Sequence, residues 1–385
     1  MSWEKVALSE VADFSNGINF DKSAYSSGVK LIGVSNFGNR FSPDYDELQE
    51  IDAKVVRAGG YLTDGDIVFV RSNGNKELVG RCMLIKEPKC AVTYSGFCIR
   101  ARIKDTNKYN PTFFAYYFKS KAFRKALSGN AIGANIQNLS QGRLSNHIAC
   151  VPDIEIQRKI AGVLSAYDDL IENNQKQINL LEEAAQRLYK EWFLDLRFPG
   201  HETTPITDGI PEGWAEGTLA DLTVFKRGKT ITKGQVNEGN VPVVAGGLEP
   251  AYYHDTPNTD APVITVSGSG ANAGFTRMYY TKVWASDCSY VDVSVTHDIA
   301  WIYCFLKENK ASIDSMQKGA AQPHVYAKDL NAMKVVVPCD SLMERFRTAA
   351  EPMFSKIGKL EMQIKMLTEA RDRLLPKLMN GEIEV

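Results

Sequence analysis

The sequence predicts an α+β protein: two mixed α/β globular domains separated by two long, antiparallel, coiled-coil-like helices, the whole carrying a pseudo-two-fold internal repeat. Three observations lead there. Residues 139–193 and 325–379 are two copies of one pattern at a constant spacing of 186, without a gap. Each copy carries a heptad seam, which keeps a narrow apolar stripe on one side of a helix and calls for a partner helix to bury it. The repeat also reaches back beyond the helices: Leu8, Val11, Phe14 and Gly17 recur as Leu219, Leu222, Phe225 and Gly228, now 211 apart. A duplicated helix is therefore the visible part of a duplicated domain plus helix, with the second globular segment 25 residues shorter than the first.

In chain order, residues 1–152 form the first domain. Short β-branched or aromatic runs at 31–34 and 67–70 predict strands, and 111–126 predicts a helix. Val151-Pro152 closes the domain, because proline cannot extend a strand ladder but fits a helix start. Residues 153–196 hold the first long helix, with a seam of Ile160, Leu164, Tyr167, Ile171, Asn174, Ile178, Leu181, Ala185, Leu188 and Trp192. Six prolines and glycines between Arg197 and Trp214 mark residues 197–213 as a surface connector. The second domain, 214–338, has a strand at 263–266 and a helix at 298–310, and ends on Val337-Pro338. Residues 339–385 carry the second helix and tail, with Phe346, Ala350, Met353, Ile357, Leu360, Ile364, Leu367, Arg371, Leu374 and Leu378 on the seam.

Each seam runs about 33 residues, or roughly 50 Å at 1.5 Å per residue. Pro352, Gly358 and Pro376 predict a kink or a fraying end in the second helix. A short connector follows the first helix and a whole domain precedes the second, which predicts antiparallel pairing with the domains at opposite ends.

The chain of 385 residues is 44% hydrophobic, which suits two domains of ordinary size. No basic stretch followed by an apolar core opens the chain, and no apolar run approaches the roughly 20 residues that span a bilayer, so the expected location is the cytoplasm. Seven scattered cysteines with no two-residue spacing predict reduced, mostly buried thiols, with no structural zinc. The net charge of −1 hides an uneven distribution: residues 1–150 hold 20 Lys+Arg against 14 Asp+Glu, whereas residues 212–338 hold 11 against 13. Charge alone favours a DNA partner for the first half. In the second half, the local cluster Lys226, Arg227, Lys229 and Lys233 offers a basic edge to phosphates, or is an ordinary solvated strand.

Certain motifs then stand out. The first repeat ends Leu188-Tyr189-Lys190-Glu191-Trp192-Phe193-Leu194-Asp195-Leu196-Arg197-Phe198-Pro199-Gly200. The chain ends Leu374-Leu375-Pro376-Lys377-Leu378-Met379-Asn380-Gly381-Glu382-Ile383. With Pro152, Glu155, Gln157 and Ile160 at the first helix start, the sequence resembles the specificity subunits of type I restriction-modification systems over essentially its whole length. The second copy departs from that pattern with Met343 in place of Gln157. The resemblance implies two target-recognition domains that each read one half of a split double-stranded DNA site. It implies that the paired helices act as a ruler for the gap and dock two DNA methyltransferase subunits, with restriction-translocase subunits in the full assembly. It implies no catalysis by this chain and no cofactor. A spacer of ~50 Å agrees, since it exceeds the ~34–36 Å of one B-DNA turn.

Base reading needs hydrogen-bonding side chains on loops, with Arg for guanine, Asn or Gln for adenine and Lys for phosphate. In the first domain these are Arg71, Asn73, Asn75, Lys76 and Arg81 around one loop, and Asn130, Asn135, Gln137, Asn138 and Gln141 before the closing strand. In the second they are Lys226, Arg227, Lys229, Ser269, Asn272 and Arg277, with Gln322, His324 and Tyr326. Amide-rich loops also serve turn chemistry alone.

Gly268-Ser269-Gly270 is not a dinucleotide loop: Gly274 comes one position late, no P-loop lysine follows, and no helix start is visible. His297 and His324 are too isolated for a metal site. No amide-proline-proline-aromatic methyltransferase motif and no clustered carboxylates are present, so the rival reading is a structural coiled-coil adaptor without sequence-specific readout.

Overall fold

The computed structural model describes residues 3–38, 40–75, 77–128, 138–317 and 323–385. The long helices run from Ile154–Phe193 and from Asp340–Met379, 40 residues each, or roughly 60 Å at 1.5 Å per residue. Both ends of one helix lie 186 residues from the ends of the other. The second helix is continuous through Pro352, Gly358 and Pro376.

The chain divides into two compact units, Met1–Asn173 with Ile364–Val385, and Asn174–Gln363. Each unit thus owns a globular domain and one end of each long helix.

The first unit is built on two sheets. One runs Ala12–Asn16, Cys98–Ile103, Ile67–Val70, Cys82–Leu84, all antiparallel. The other runs Gln49–Ile51, Tyr25–Ile32, Val92–Tyr94, with its last pair parallel. The strand expected at 31–34 therefore starts earlier and stops at Ile32, where a short 3-10 turn, Val34–Asn36, takes over. The Ile67–Val70 strand is buried on both faces, as its unbroken apolar run requires. Glu4–Ala7 pairs with Ile148–Val151 and carries the chain to the helix start.

The second unit repeats this topology. Its four-stranded sheet runs Lys226–Arg227, Cys288–Asp292, Val263–Ser267, Thr276–Tyr279, and its three-stranded sheet runs Tyr252–His254, Val241–Val244, Trp284–Ala285, again with the last pair parallel. Ala215–Thr218 pairs with Lys334–Val337, and Ala215 opposite Val337 matches Glu4 opposite Val151 at the spacings of 211 and 186. Gly80 and Gly274 end the equivalent loops with φ of +80° and +86°, a left-handed conformation that favours glycine.

The helices expected at 111–126 and 298–310 are each two helices. Pro111–Lys119 ends at Ser120, whose hydroxyl accepts from the Phe123 N–H and so caps Lys121–Ser128. Ile299–Glu308 ends at Asn309 before Lys310–Ser315. The breaker-rich connector is also folded: Ile206–Thr207 and Ile210–Pro211 form a hairpin across Asp208-Gly209, both at positive φ, the geometry that tight hairpins favour. Phe198 and Trp214 close it at 5.3 Å between ring centroids.

The helix seam follows from these packings. In the first unit Ile160, Leu164 and Leu378 are buried, and Leu374 lies against them. In the second, Ile178, Ala185, Phe346, Ile357 and Leu360 are buried. Tyr167, Ile171, Leu181, Leu188, Met353, Ile364 and Leu367 are half-buried. Asp168, Tyr189 and Phe193 are buried more deeply than their seam neighbours Tyr167, Leu188 and Trp192. The reason is that each helix end packs on its domain as well as on its partner: Tyr116 donates to Asp168 at 2.5 Å, and Trp301 packs on Tyr189 and Phe193. This widens the stripe beyond a two-position seam. Antiparallel order is read within each unit, from Asp168–Arg371 in the first and Asn174–Gln363 and Trp192–Phe346 in the second.

Four cysteines, Cys82, Cys98, Cys288 and Cys304, are buried, and burial pushes their thiols up to about 11 for Cys82 and about 12 for the others. Among the described residues, no helix is long and apolar enough to cross a membrane, and no group of three or more His, Cys, Asp or Glu could hold a metal.

Candidate nucleic-acid interface

In each unit a central strand ends in a polar loop, and the segment preceding the closing strand returns beside it. In the first unit the strand Ile67–Val70 runs into Arg71, and a bridge joins Ser72 to Asn138 while the Leu139 N–H donates to the Arg71 carbonyl at 2.8 Å. In the second, Val263–Ser267 runs into Gly268; a bridge joins Ser269 to His324, and the Val325 N–H donates to the Gly268 carbonyl at 3.1 Å. The two arrangements are equivalent in the repeat, and they unite candidates far apart in sequence: Arg71 and Asn73 with Asn138, Ser269 with His324 and Tyr326.

The side chains on this shared scaffold differ. Arg71 donates to the Gly96 carbonyl at 3.3 Å and forms no ion pair among the described residues. The Asn73 side-chain oxygen accepts from the Asn75 N–H at 2.7 Å, and that of Asn75 accepts from the Glu77 N–H at 3.0 Å. Both amides thus use their oxygens in turn chemistry, which leaves their NH2 groups as the available donors. Arg81 closes the hairpin, its carbonyl accepting from Val70 N–H at 2.9 Å. Burial, with repulsion from Arg81 beside it, holds the Arg124 guanidinium below its ordinary range.

In the second unit Ser269 donates to Asp287, and Asn272 donates to the Gly246 carbonyl at 3.4 Å. His324 stacks on Tyr326 at 5.8 Å and 10°, a flat pair of rings of which Tyr326 is exposed. Lys226 and Arg227 are exposed and form no ion pair among the described residues. Lys229 is partly structural: its carbonyl accepts from the Trp284 indole at 2.8 Å, and its ammonium lies over that ring.

Lys226 and Arg227 are on one edge strand of the four-stranded sheet and Arg277 is on the other, three strand spacings or roughly 14 Å away. Arg277 packs on Tyr279 and donates to the Leu248 carbonyl at 3.3 Å. Lys76, Asn130, Asn135, Gln137 and Gln322 lie outside the described residues.

Sequence reasoning passed over the turn that abuts both loops. Phe97 in the first unit and Asp287 in the second occupy the same place in the repeat: the Arg71 N–H donates to the Phe97 carbonyl at 2.7 Å, and the Gly268 N–H to the Asp287 carbonyl at 3.1 Å. The available signal was Gly17 with Gly228, whose close approach to this turn (Cβ positions 2.1 and 2.3 Å from the Ser95 and Ser286 carbonyl oxygens) leaves no room for a side chain.

Comparison with known proteins gives concordant matches. The family model described as the type I restriction modification DNA specificity domain matches residues 1–183 and 211–341. The type I restriction enzyme MjaIX specificity subunit of Methanocaldococcus jannaschii is 28% identical over 301 residues, covering 71% of this chain and 69% of its own. The type I restriction enzyme HindI specificity subunit of Haemophilus influenzae is 22% identical, with 99% of each chain covered. The crystal structure of a type I restriction-modification system S subunit from M. genitalium superposes with a TM-score of 0.59 at 19% identity, covering 98% of this chain and 96% of that one, a likeness of fold.

Proposed function

The chain belongs to the type I restriction modification DNA specificity family, and on that premise we propose that it reads a split DNA site, one half with each domain, without catalysis of its own. The observation that carries this reading is the duplicated loop pairing. Ser72 with Asn138 and Ser269 with His324 sit on one scaffold, while the side chains around them differ. Two readers of unlike half-sites require that combination. A structural adaptor would need the helices but has no use for a repeated pair of divergent polar loops.

The long helices set the gap between the half-sites, and two methyltransferase subunits dock on them. Supporting this is a pair of repeat-equivalent positions, Leu180 and Met366, 186 apart, at which large apolar side chains are 65% and 60% exposed. Apolar surface repeated in this way suits two copies of one partner. Restriction subunits join the same assembly.

The test is to co-express the chain with its methyltransferase subunit and map modified adenines. A two-part motif with a fixed gap is the expected result, and a short ungapped motif counts against two independent readers. Substituting Arg71, Asn73 and Lys76 by Ala should then relax one half of the motif and leave the other intact.

A further inference from the structure

We propose that Phe97 is a base-reading residue of the first half-site, acting by apolar contact with a nucleobase. The inference rests on the reading above, in which the loops around Arg71 and Asn138 face DNA, and adds a contact of a different chemical kind.

Phe97 is 62% exposed, the most exposed aromatic side chain among the described residues. Its ring packs on no other ring or cation among them. Yet its backbone is held on several sides. Its carbonyl accepts from Arg71 and Ser72, the Cys98 N–H donates to the Ser95 carbonyl at 2.9 Å, and the Gly96 N–H donates to the Ile18 carbonyl at 2.6 Å. The Arg71 guanidinium is tied to the adjacent Gly96 carbonyl. A rigid turn thus presents an unburied ring beside a cation that forms no ion pair among the described residues.

The internal repeat acts as a control for the alternative that the turn requires an aromatic residue. The corresponding turn of the second unit keeps the same backbone bond without an aromatic residue, and is one residue shorter, with only Asp287 between Ser286 and Cys288 where Gly96 and Phe97 separate Ser95 from Cys98. The bonds that hold Phe97 in its turn are made by backbone atoms, so the phenyl ring is not explained by the turn. An exposed Phe forgoes roughly 1.5–3 kcal/mol of burial, which contact with a base would recover. The occupant is a nucleobase rather than an apolar protein surface because the neighbours are Arg71, Ser72 and Asn138, and the domain carries an excess of positive charge. Phenylalanine meets bases either at a thymine methyl or by insertion at a base step.

The experiment uses the chain in complex with its methyltransferase subunits and duplexes carrying the mapped site. Phe97→Ala is expected to weaken specific binding roughly 5- to 150-fold, the range for alanine at base-stacking aromatics. The loss should be confined to the first half-site, with the salt dependence of binding unchanged. Phe97→Ser, which removes the ring without adding a charge, should behave alike, and an unchanged melting temperature excludes misfolding. Uracil in place of thymine reproduces the loss if the methyl is the target; a rise in 2-aminopurine fluorescence on binding marks insertion. Wild-type affinity in both variants overturns the role of Phe97 while leaving the split-site reading standing. So does a loss equal on non-specific DNA, or a salt slope lowered by about one, the mark of a phosphate contact. A wild-type complex without split-site preference overturns the underlying reading instead.

Discussion

Arg371→Ala should destabilise the first unit far more than removing the whole polar cluster around it. Asp168 is 9% exposed. It receives the Tyr116 hydroxyl at 2.5 Å and pairs with Arg371, whose side chain is 17% exposed. Burial, reinforced by the Asp168 charge, pushes the Tyr116 hydroxyl well above its ordinary range, so tyrosine stays protonated and donates. Deleting the arginine leaves a buried carboxylate with one neutral donor, a change that typically costs about 3–5 kcal/mol. For a unit of about 195 residues, at about 2–4 °C per kcal/mol, its melting temperature falls by roughly 6–20 °C. The repeat supplies the comparison, because the positions equivalent to Asp168 and Arg371 are Phe354 and Ala185, both buried and apolar. Asp168→Leu, Arg371→Leu and Tyr116→Phe together should therefore recover most of the loss. Calorimetry of the full chain reads both. A loss below about 1 kcal/mol for Arg371→Ala, or a triple variant no more stable than the single one, would refute the reasoning.

Other outcomes follow from the same geometry. Gly358→Ala places a Cβ 2.7–2.9 Å from side-chain atoms of Tyr280; overpacking of about 1–3 kcal/mol should outweigh the gain in helix propensity of up to about 1 kcal/mol, and Tyr280→Leu in the same chain should relieve it. Burial holds His147 below its ordinary value, so the folded state binds fewer protons than the unfolded one as pH falls through about 6.5. Stability from this group is complete above that range and lost below it; a melting temperature difference between wild type and His147→Gln that fails to change between neutral and mildly acidic pH contradicts this. Leu180→Asp or Met366→Asp should each weaken capture of the methyltransferase subunit on a size-exclusion column without changing the melting temperature, since both side chains are exposed. Ile171→Asp with Ile178→Asp should alter the gap length at which the mapped motif is recognised, because Ile178 is 5% exposed and charge there is uncompensated; recognition at the original gap alone would count against a ruler.

Much of the architecture is legible in the sequence because it is periodic or duplicated. The seam from Ile160 and its copy from Phe346 specify two helices, since a heptad stripe can be buried only by another helix. The spacings of 186 and 211 specify two domains of one topology, and the proline after each closing strand marks the helix starts. Local chemistry escaped where one residue settled it: Ser120 breaks a helix by capping the next, and Asp208-Gly209 turns a linker into a hairpin.

The interface is less legible, for a physical reason. Arg71 and Asn138 are far apart in sequence and meet only because a strand end and the approach to the closing strand return to the same place, a long-range pairing that no local pattern encodes. The separation of Arg277 from Lys226 and Arg227 depends on strand order in the sheet. So does the meeting of Asp168 with Tyr116 and Arg371, three residues from three helices. Sequence by itself determined the repeat and the helices, both properties of spacing along the chain, and through its closing motifs the resemblance to a family; the tertiary structure alone decided which polar groups share a surface, and that Phe97 stands exposed among them.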